Sequence, residues 1–289
     1  MAEVLAIVVT YNAMPWIDKC LGSLSKSSHK ADVIVVDNCS YDGTQEYVSE
    51  HFPEVRLVRN TANEGFGAAN NIGLRYALEN KYDFVYLLNQ DAWVEKDTIA
   101  TLIGSWNPKY GVLSPVQLDA KGKMDPNFRK KCGRYLRKAD NAVDGEKLIV
   151  RVPFVMAAHW MLSRQSIETV GAFSPAFRHY GEDENYVDRM RRFGLRAGVV
   201  PAARAIHDRS DRKVPKERRM RLKCISSLVK LSDPGRCFFW RTLVEPVRLF
   251  GMTLKNFSTV PFKYISELTA RYGELKALRK ESRKKGAFL

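Results

Sequence analysis

The sequence predicts an α/β fold in which a mostly parallel sheet is flanked by helices. Short, β-branched apolar runs alternate with helical stretches of about 10–15 residues, an alternation that is typical of parallel sheets. Residues 4–10, VLAIVVT, and residues 32–37, DVIVVD, are two such runs, and each is continuous enough for a buried strand. No apolar run reaches the roughly 18–20 residues that a membrane-spanning helix needs.

The other elements follow from capping and turn residues. Pro15 suits the first turn of a helix that ends near residue 25, and Ser40 or Asp42 can cap a helix that ends near residue 52. Further strands are predicted at residues 55–60, 83–88, 111–118, 147–154 and 195–201, and further helices at residues 68–80, 163–171 and 181–194. The polar, basic residues 119–147 are predicted to form a mobile loop near the site.

The net charge of +15 is concentrated toward the C-terminus. Residues 215–289 hold 18 lysines and arginines against 6 acidic residues. Helical segments rich in basic and aromatic residues are predicted at residues 215–232, 236–256 and 261–284. We therefore expect a nearly neutral catalytic domain, residues 1–214, followed by a basic amphipathic helical extension, residues 215–289. Such an extension suits an anionic partner.

The cysteines and the N-terminus indicate a cytoplasmic protein. The five cysteines are scattered and form no C-x-x-C pair, so free thiols in a reducing compartment are expected rather than disulfides or a zinc site. The N-terminal residues enter the first predicted strand directly and lack the basic start and cleavage site of a signal peptide.

Polar side chains follow each strand of the first half of the chain. Because ligands of parallel sheets bind beyond the carboxyl ends of the strands, these side chains are expected to converge. The groups are Thr10-Tyr11-Asn12, Asp37-Asn38, residues 63–67 and Asn89-Gln90-Asp91. Neither a G-x-G-x-x-G motif nor a P-loop follows the first strand, so phosphates would have to be held by another device, such as a metal ion.

Two aspartates in these groups have alternative interpretations. Asp37 either caps a helix or accepts hydrogen bonds from a nucleotide base or ribose. Asp91 either caps a helix that begins near Glu95, or binds a divalent cation together with diphosphate oxygens.

Glu182, Asp183 and Glu184 open a predicted helix, where capping alone would select acidic residues. A carboxylate that faces a partly dry pocket would instead have a raised pKa, which suits a general base. His207 follows the end of a predicted strand, and a lone histidine there is either structural or a metal ligand.

Six segments carry a family resemblance, in the order VVTYN at 8–12, VVDNCSYDGT at 35–44, NEGFGAANNIG at 63–73, LLNQDAW at 87–93, VGAFSPAF at 170–177 and YGEDENYVDRMRRFG at 180–194. Over about residues 4–210 the chain resembles the inverting glycosyltransferases of family 2, with the GT-A fold, and is most similar to their rhamnosyltransferase-like, cell-surface polysaccharide branch. The resemblance implies that a sugar passes from a nucleotide-diphospho-sugar to an acceptor hydroxyl with inversion.

The resemblance also implies roles for individual residues. Asp183 is the implied general base, with Glu182 beside it, and Asp91 and His207 are the implied ligands of Mg²⁺ or Mn²⁺. Asn89 stands where the family has the first aspartate of Asp-x-Asp, a departure that removes one negative charge from the metal site. The positions implied to hold the donor nucleotide are Thr10, Tyr11, Asn12, Asp37, Asn38, Asn63, Gly65, Asn70, Asn89 and Gln90.

Acceptor contacts are expected near the base, from His159, Trp160, Arg178 and Tyr180, although Trp160 could equally belong to the core. The acceptor is expected to be a glycan or a lipid-linked sugar. The C-terminal helices could pack on the domain or on a second subunit in a homodimer. They could instead lie on the anionic inner face of the plasma membrane, as a peripheral protein.

Two other functions compete with this interpretation. One is a nucleotide-sugar-binding protein without transferase activity, because Asn89 weakens the metal site. The other is a basic nucleic-acid-binding protein. The extension contains no recognisable nucleic-acid motif, so no nucleic-acid partner is expected.

Overall fold

The computed structural model describes residues 2–140, 149–209 and 215–289, and in these residues the chain forms one nine-stranded sheet covered by helices. The strands are Val4–Thr10 (β1), Asp32–Asp37 (β2), Arg56–Arg59 (β3), Phe84–Asn89 (β4), Ala92–Val94 (β5), Tyr110–Leu118 (β6), Val150–Val152 (β7), His159–Ser163 (β8) and Arg196–His207 (β9). The strand order is β3-β2-β1-β4-β8-β6-β9-β5, with β7 also paired to β9. The prediction of an α/β fold is confirmed.

The first half of the sheet is parallel and the second half is mixed. Strands β3, β2, β1 and β4 pair in parallel, whereas β8 runs antiparallel to β4 and to β6. Strand β9 is parallel to β6 and antiparallel to β5 and β7. The expectation of a mostly parallel sheet therefore holds for the pairings among β1 to β4. A buried apolar run has the same composition in either direction, so the sequence did not reveal the antiparallel strands.

Helices connect and cover these strands. They are Ile17–Ser25 (α1), Thr44–His51 (α2), Phe66–Glu79 (α3), Thr98–Gly104 (α4), Pro126–Asp140 (α5), Arg164–Val170 (α6), Glu182–Arg192 (α7), Lys216–Ser232 (α8), Phe238–Asn256 (α9), Val260–Ala270 (α10) and Tyr272–Glu281 (α11). The segment predicted as one helix over 261–284 is two helices, which meet at Arg271. None of the described helices is both long and apolar enough to cross a bilayer.

Helix α5 replaces most of the loop that was predicted over residues 119–147. Asp125 precedes the helix, and its carboxylate accepts a hydrogen bond from the Phe128 backbone N–H at 2.7 Å. Phe128, Cys132 and Leu136 recur every four residues and are buried in the core. The loop prediction was wrong here because the many basic residues of this segment masked a helical apolar stripe. Residues 141–148 lie outside the described part of the chain.

Two apolar cores lie on the two faces of the sheet. Along β1, Leu5 and Ile7 pack into one core, and Val4, Ala6 and Val8 pack into the other. This division follows from the alternation of side chains along a strand. The five cysteines are free thiols, as predicted.

The C-terminal helices form a third apolar core with residues of the preceding domain. Leu228, Leu249 and Leu268 of this core pack with Ala176 and Phe177, which precede α7. The extension is helical, as the sequence predicts. The boundary proposed at residue 214 falls within residues 210–214, which lie outside the described part, and it stays a prediction.

The C-terminal residues also contact the segment that follows α6. The Ala172 N–H donates a hydrogen bond to the Ala287 carbonyl at 2.8 Å. Gly171, which follows α6, has φ +89° and ψ −160°, a conformation that is essentially restricted to glycine. A Cβ atom on Gly171 would lie 1.9 Å from the Ala287 carbonyl oxygen. Gly171 therefore permits the close contact between the C-terminus and the end of α6.

We predict that Gly171→Ala lowers the free energy of unfolding by about 2–4 kcal/mol, because it adds backbone strain to a steric clash. Urea denaturation of the full chain measures this change. Gly22→Ala is the matched control, since a Cβ at Gly22 in α1 meets nothing within 4 Å and alanine is favoured inside a helix. Equal stability of the Gly171→Ala and wild-type chains would contradict the contact.

Candidate functional site

A cleft of about 890 Å³ lies at the carboxyl ends of β1, β2 and β4. Members of the four polar groups meet at its wall: Thr10, Tyr11, Asn38, Asn63, Asn89, Gln90 and Asp91. Residues at the start of α7 and on one face of α8 also line the cleft. The convergence expected from the strand ends is therefore seen in the structure.

Tyr11 and Gln90 are joined at the edge of the cleft. The Tyr11 N–H donates to the Gln90 side-chain oxygen at 2.6 Å, and the Gln90 amide donates to the Tyr11 carbonyl at 3.2 Å. The Tyr11 ring is 42% exposed and meets the exposed Tyr41 ring edge-on, with 6.2 Å between centroids. Two accessible aromatic rings at this point offer a surface on which a flat nucleobase could stack.

Asp37 does not line the cleft. Its side chain is fully buried and accepts hydrogen bonds from the Thr10 hydroxyl at 2.7 Å, from the Gln45 amide at 2.6 Å, and from the backbone N–H and hydroxyl of Ser40 at 2.8 and 2.5 Å. Ser40 in turn accepts a hydrogen bond from the Asn12 N–H at 2.8 Å. The sequence analysis expected Asp37 to contact a nucleoside directly, and this burial corrects that expectation. Asp37 instead orders the loops that surround the cleft.

The asparagines of the predicted donor site serve several purposes. Asn38 donates to the Gly65 carbonyl at 3.3 Å, and the Asn63 side chain accepts from the Gly65 N–H at 3.0 Å, so both shape the loop before α3. Asn12, at φ +52°, accepts from the Tyr41 N–H at 3.1 Å. Asn70 is buried inside α3 and donates to the Phe66 carbonyl at 2.9 Å. The expected donor contact of Asn70 is therefore corrected, because its side chain is used within the helix and is absent from the cleft wall.

Asp91 lines the cleft, and His207 lies beside it without itself lining the cleft. His207 Nε2 is 3.5 Å from Asp91 Oδ2, and both side chains are almost fully buried. Asp91 is followed at once by β5, which pairs with β9 at Ala92 and His207. The alternative in which Asp91 caps the next helix is therefore wrong.

The residues around Asp91 could supply part of the ligand set of a divalent cation. Asp91 and His207 could supply two ligands, but the described residues contain no group of three or more His, Cys, Asp or Glu able to hold a metal. Asn89 Oδ1 is buried and has no hydrogen-bond partner among the described residues. The Arg209 Nε–H donates to His207 Nε2 at 3.2 Å, so coordination through that nitrogen would require Arg209 to turn away.

Glu182 and Asp183 begin α7 at the edge of the cleft, and both line it. Burial, reinforced by the charge of Glu184, raises the pKa of Asp183 above its usual range. Burial, followed by the charge of Asp183, raises the pKa of Glu182 as well. Glu182 Oε2 is buried and has no partner among the described residues. This pair therefore has the desolvated carboxyl groups that general base catalysis favours.

Helix α8 is packed directly on the start of α7. Gly181 precedes α7 with φ +91°, and a Cβ there would lie 2.9 Å from side-chain carbons of both Ile225 and Val229. Beside it, Arg218 donates a hydrogen bond to the Tyr180 hydroxyl at 2.9 Å. Tyr180 is about half exposed and lines the cleft, as expected of an acceptor contact.

His159 and Trp160 are placed differently from the expectation. Both are fully buried in strand β8. His159 Nδ1 is 2.8 Å from the Tyr86 hydroxyl and its Nε2 is 2.9 Å from the Ile206 carbonyl oxygen. Trp160 stacks on Phe173 and donates its indole N–H to the Val155 carbonyl. Neither side chain can reach an acceptor, so their assignment as acceptor contacts is corrected to a structural role.

Several cleft residues were missed by the sequence analysis. The basic ones are Lys131 from α5, Arg209 after β9, and Arg218 and Arg221 from α8. Lys131 also forms an ion pair with Glu184 at 3.5 Å. The excess of basic residues after residue 215 was recognised, but it carries no signal that one face of α8 closes the cleft. That contact depends on long-range packing.

Comparison with known proteins gives a consistent picture. The family described as Glycosyl transferase family 2 matches residues 5–171. The N-acetylglucosaminyl-diphospho-decaprenol L-rhamnosyltransferase of Mycobacterium tuberculosis is 28% identical over 240 residues, covering 73% of this chain and 78% of that protein. The dTDP-rhamnosyl transferase RfbF of Shigella flexneri is 25% identical over 224 residues, covering 74% of this chain and 71% of that protein.

The fold is shared with solved structures. A mannosyltransferase from Pyrobaculum calidifontis, in complex with GDP-Man and Mn²⁺, matches with a TM-score of 0.58 and 21% identity, covering 96% of this chain and 84% of that one. At this level of identity the likeness shows a common fold.

We predict that His159 stays neutral at pH 5. Burial, followed by the nearby His207, lowers the pKa of His159 from 6.5 to about 3. The unfolded chain takes up this proton below pH 6.5, so His159 makes the fold less stable as pH falls from 6.5 toward 3. Ring-nitrogen NMR of histidine-labelled protein measures the protonation state directly. A titration midpoint near 6.5 would contradict the burial of His159.

Proposed function

The chain belongs to glycosyl transferase family 2, and we propose that it transfers a sugar from a nucleotide-diphospho-sugar to an acceptor hydroxyl with inversion, Asp183 acting as the general base. The observation that carries this proposal is a single cleft. It is lined both by the ends of β1, β2 and β4 and by Asp183 at the start of α7, whose pKa is raised by burial.

The donor is proposed to lie along the strand ends. Tyr11 and Tyr41 would hold the nucleobase, while Gln90, already bonded to the Tyr11 backbone, would keep this surface in place. Thr10, Asn38 and Asn63 complete the wall. Asp37 supports the proposed site from behind, by bonding Thr10 and Ser40.

Asp183 is proposed to accept the proton of the attacking acceptor hydroxyl. Its raised pKa makes it a stronger base than an ordinary aspartate, and it is still ionised near neutral pH. The Glu184 N–H donates to Asp183 Oδ1 at 2.8 Å, and the Ala157 backbone N–H also bonds this carboxylate, which orients it in the cleft. Asp183 lies in the same cleft as the strand ends, and a base in that cleft is what direct displacement with inversion needs.

A divalent cation, Mg²⁺ or Mn²⁺, is proposed to bind at Asp91, with His207 as a second ligand and diphosphate oxygens completing the shell. When bound, such an ion neutralises charge that develops on the leaving diphosphate. Asn89 contributes no charge, so we propose that the affinity for metal is low until the donor is present. The Arg209 guanidinium lies beside the same position and can share this electrostatic role.

The acceptor is proposed to be a glycan carried on a lipid phosphate. The Mycobacterium tuberculosis relative is named for a diphospho-decaprenol acceptor. We propose that the protein meets this acceptor at the inner face of the plasma membrane, through α9. That helix exposes Trp240, Val247 and Leu254 and sits within a strongly basic segment.

We predict that Asp183→Asn lowers the transfer rate by about 10²–10⁴-fold, because the amide cannot accept the proton. Donor binding should be unchanged, since Asp183 lies on the acceptor side. A panel of nucleotide sugars in a thermal-shift assay identifies the donor, and a product assay measures transfer.

Asp188→Asn is the matched control, since it makes the same chemical change on α7 outside the cleft wall. Transfer by the Asp183→Asn variant at the wild-type rate would overturn its role as base. A wild-type chain that binds a donor but transfers nothing would indicate a binding protein instead.

We predict that Asn89→Asp raises the affinity for Mn²⁺ by about tenfold in the absence of donor, because it adds a negative charge beside Asp91. Asp91→Asn should abolish metal binding. Isothermal titration with Mn²⁺, with and without the donor, measures both. Unchanged Mn²⁺ affinity in both variants would place the metal elsewhere.

A further inference from the structure

A second, smaller pocket of about 450 Å³ lies between α8 and α9. Its lining residues are Lys223 and Ser226 of α8, with Arg248, Met252, Lys255 and Asn256 of α9. Three of these six side chains are cationic and none is acidic. The pocket therefore presents a concentrated positive charge to any ligand that enters it.

The charge of this pocket is only partly neutralised from within the protein. Arg248 pairs at 2.7 Å with the fully buried Glu245, which is shared with Lys230 at 3.5 Å and Arg241 at 3.1 Å, two residues that do not line the pocket. One carboxylate thus faces three cations. Lys223 and Lys255 form no ion pair with the described residues, so both ammonium groups remain available to an anion.

The pocket shares one lining residue with the cleft. Ser226 lines both cavities, and its hydroxyl accepts a hydrogen bond from Arg248 at 2.9 Å. The adjacent residue, Ile225, contacts the start of α7 at Gly181, two residues before Asp183. A ligand could therefore place an anionic group between α8 and α9 while another part of it reaches the base.

An exposed apolar stripe runs along the same helix. Its members lie at intervals of three and four residues: Trp240, Leu243, Val247, Phe250, Leu254 and Phe257. At about 100° per residue, the stripe lies roughly a third of a turn from Arg248 and Lys255. Cationic and apolar surfaces placed side by side match a molecule with a phosphate head and a long hydrocarbon chain.

We propose that the pocket formed by Lys223, Arg248 and Lys255 binds the phosphate or diphosphate of the lipid-linked acceptor, whose chain lies along the exposed stripe of α9. This inference rests on the proposed transferase function. Lys223 and Lys255 supply the free charges, and Arg248, fixed by Glu245 and Ser226, shapes the site. Phosphate bound there would present the acceptor sugar to Asp183 and would select acceptors that carry a lipid phosphate over free glycans.

The test compares vesicle binding by the full chain and by the double variant Lys223→Glu/Lys255→Glu. The probes are phosphatidylcholine vesicles doped with a polyprenyl phosphate, and phosphatidylglycerol vesicles of matched surface charge. We expect the double variant to bind the polyprenyl phosphate vesicles at least about tenfold more weakly. Inorganic pyrophosphate should compete with these vesicles for the wild-type chain.

The matched control is Lys276→Glu/Lys280→Glu, which changes the net charge equally at exposed positions of α11 outside both pockets. It should retain near-wild-type binding. Equal losses in the two double variants, or equal wild-type binding to both kinds of vesicle, would overturn the pocket in favour of diffuse attraction to anionic headgroups. Vesicle binding needs no catalysis, so it can also be measured on the Asp183→Asn chain. Normal vesicle binding by that chain distinguishes failure of this inference from failure of the transferase proposal.

Discussion

The parallel, in-register pairing of β1 with β2 and β4 is the constraint on which the site depends. Thr10 pairs with Asp37, and Val9 pairs with Asn89, so three strands end at the same level. Parallel strands place their carboxyl ends at one edge of the sheet, so the polar residues that follow them lie close together. Asp37 then fixes this edge, because its buried carboxylate binds the ends of β1 and the loop after β2 together.

The electrostatics of the cleft follow from how it is walled. Its two sides differ in origin: strand ends supply amides, aromatic rings and Asp91, whereas the N-terminus of α7 supplies Glu182 and Asp183. Helix α8 packs against Gly181, and its residues Arg218 and Arg221 line the same cleft as the carboxylate pair. The cleft that holds Asp183 is therefore lined in part by a helix of the basic extension.

The C-terminal helices are consequently part of the catalytic architecture. They share a core with Ala176 and Phe177, and their last residues bond to the backbone beside Gly171. Glu245 is retained in this extension under three cations, where it ties α8 to α9. The pocket between α8 and α9 is lined by three basic residues of the extension, Lys223, Arg248 and Lys255.

The sequence by itself determined the strands β1 and β2 to the residue, the polar groups at their ends, and the carboxylates that begin α7, because these depend on local patterns of apolar, turn and capping residues. It also carried the family resemblance. Only the tertiary structure decided that half the sheet is antiparallel, that His159, Trp160 and Asn70 point away from the cleft, and that α8 closes it. The physical reason is that burial and wall residues are set by contacts between distant segments. An apolar run or a basic helix looks the same in sequence whichever neighbour it packs against.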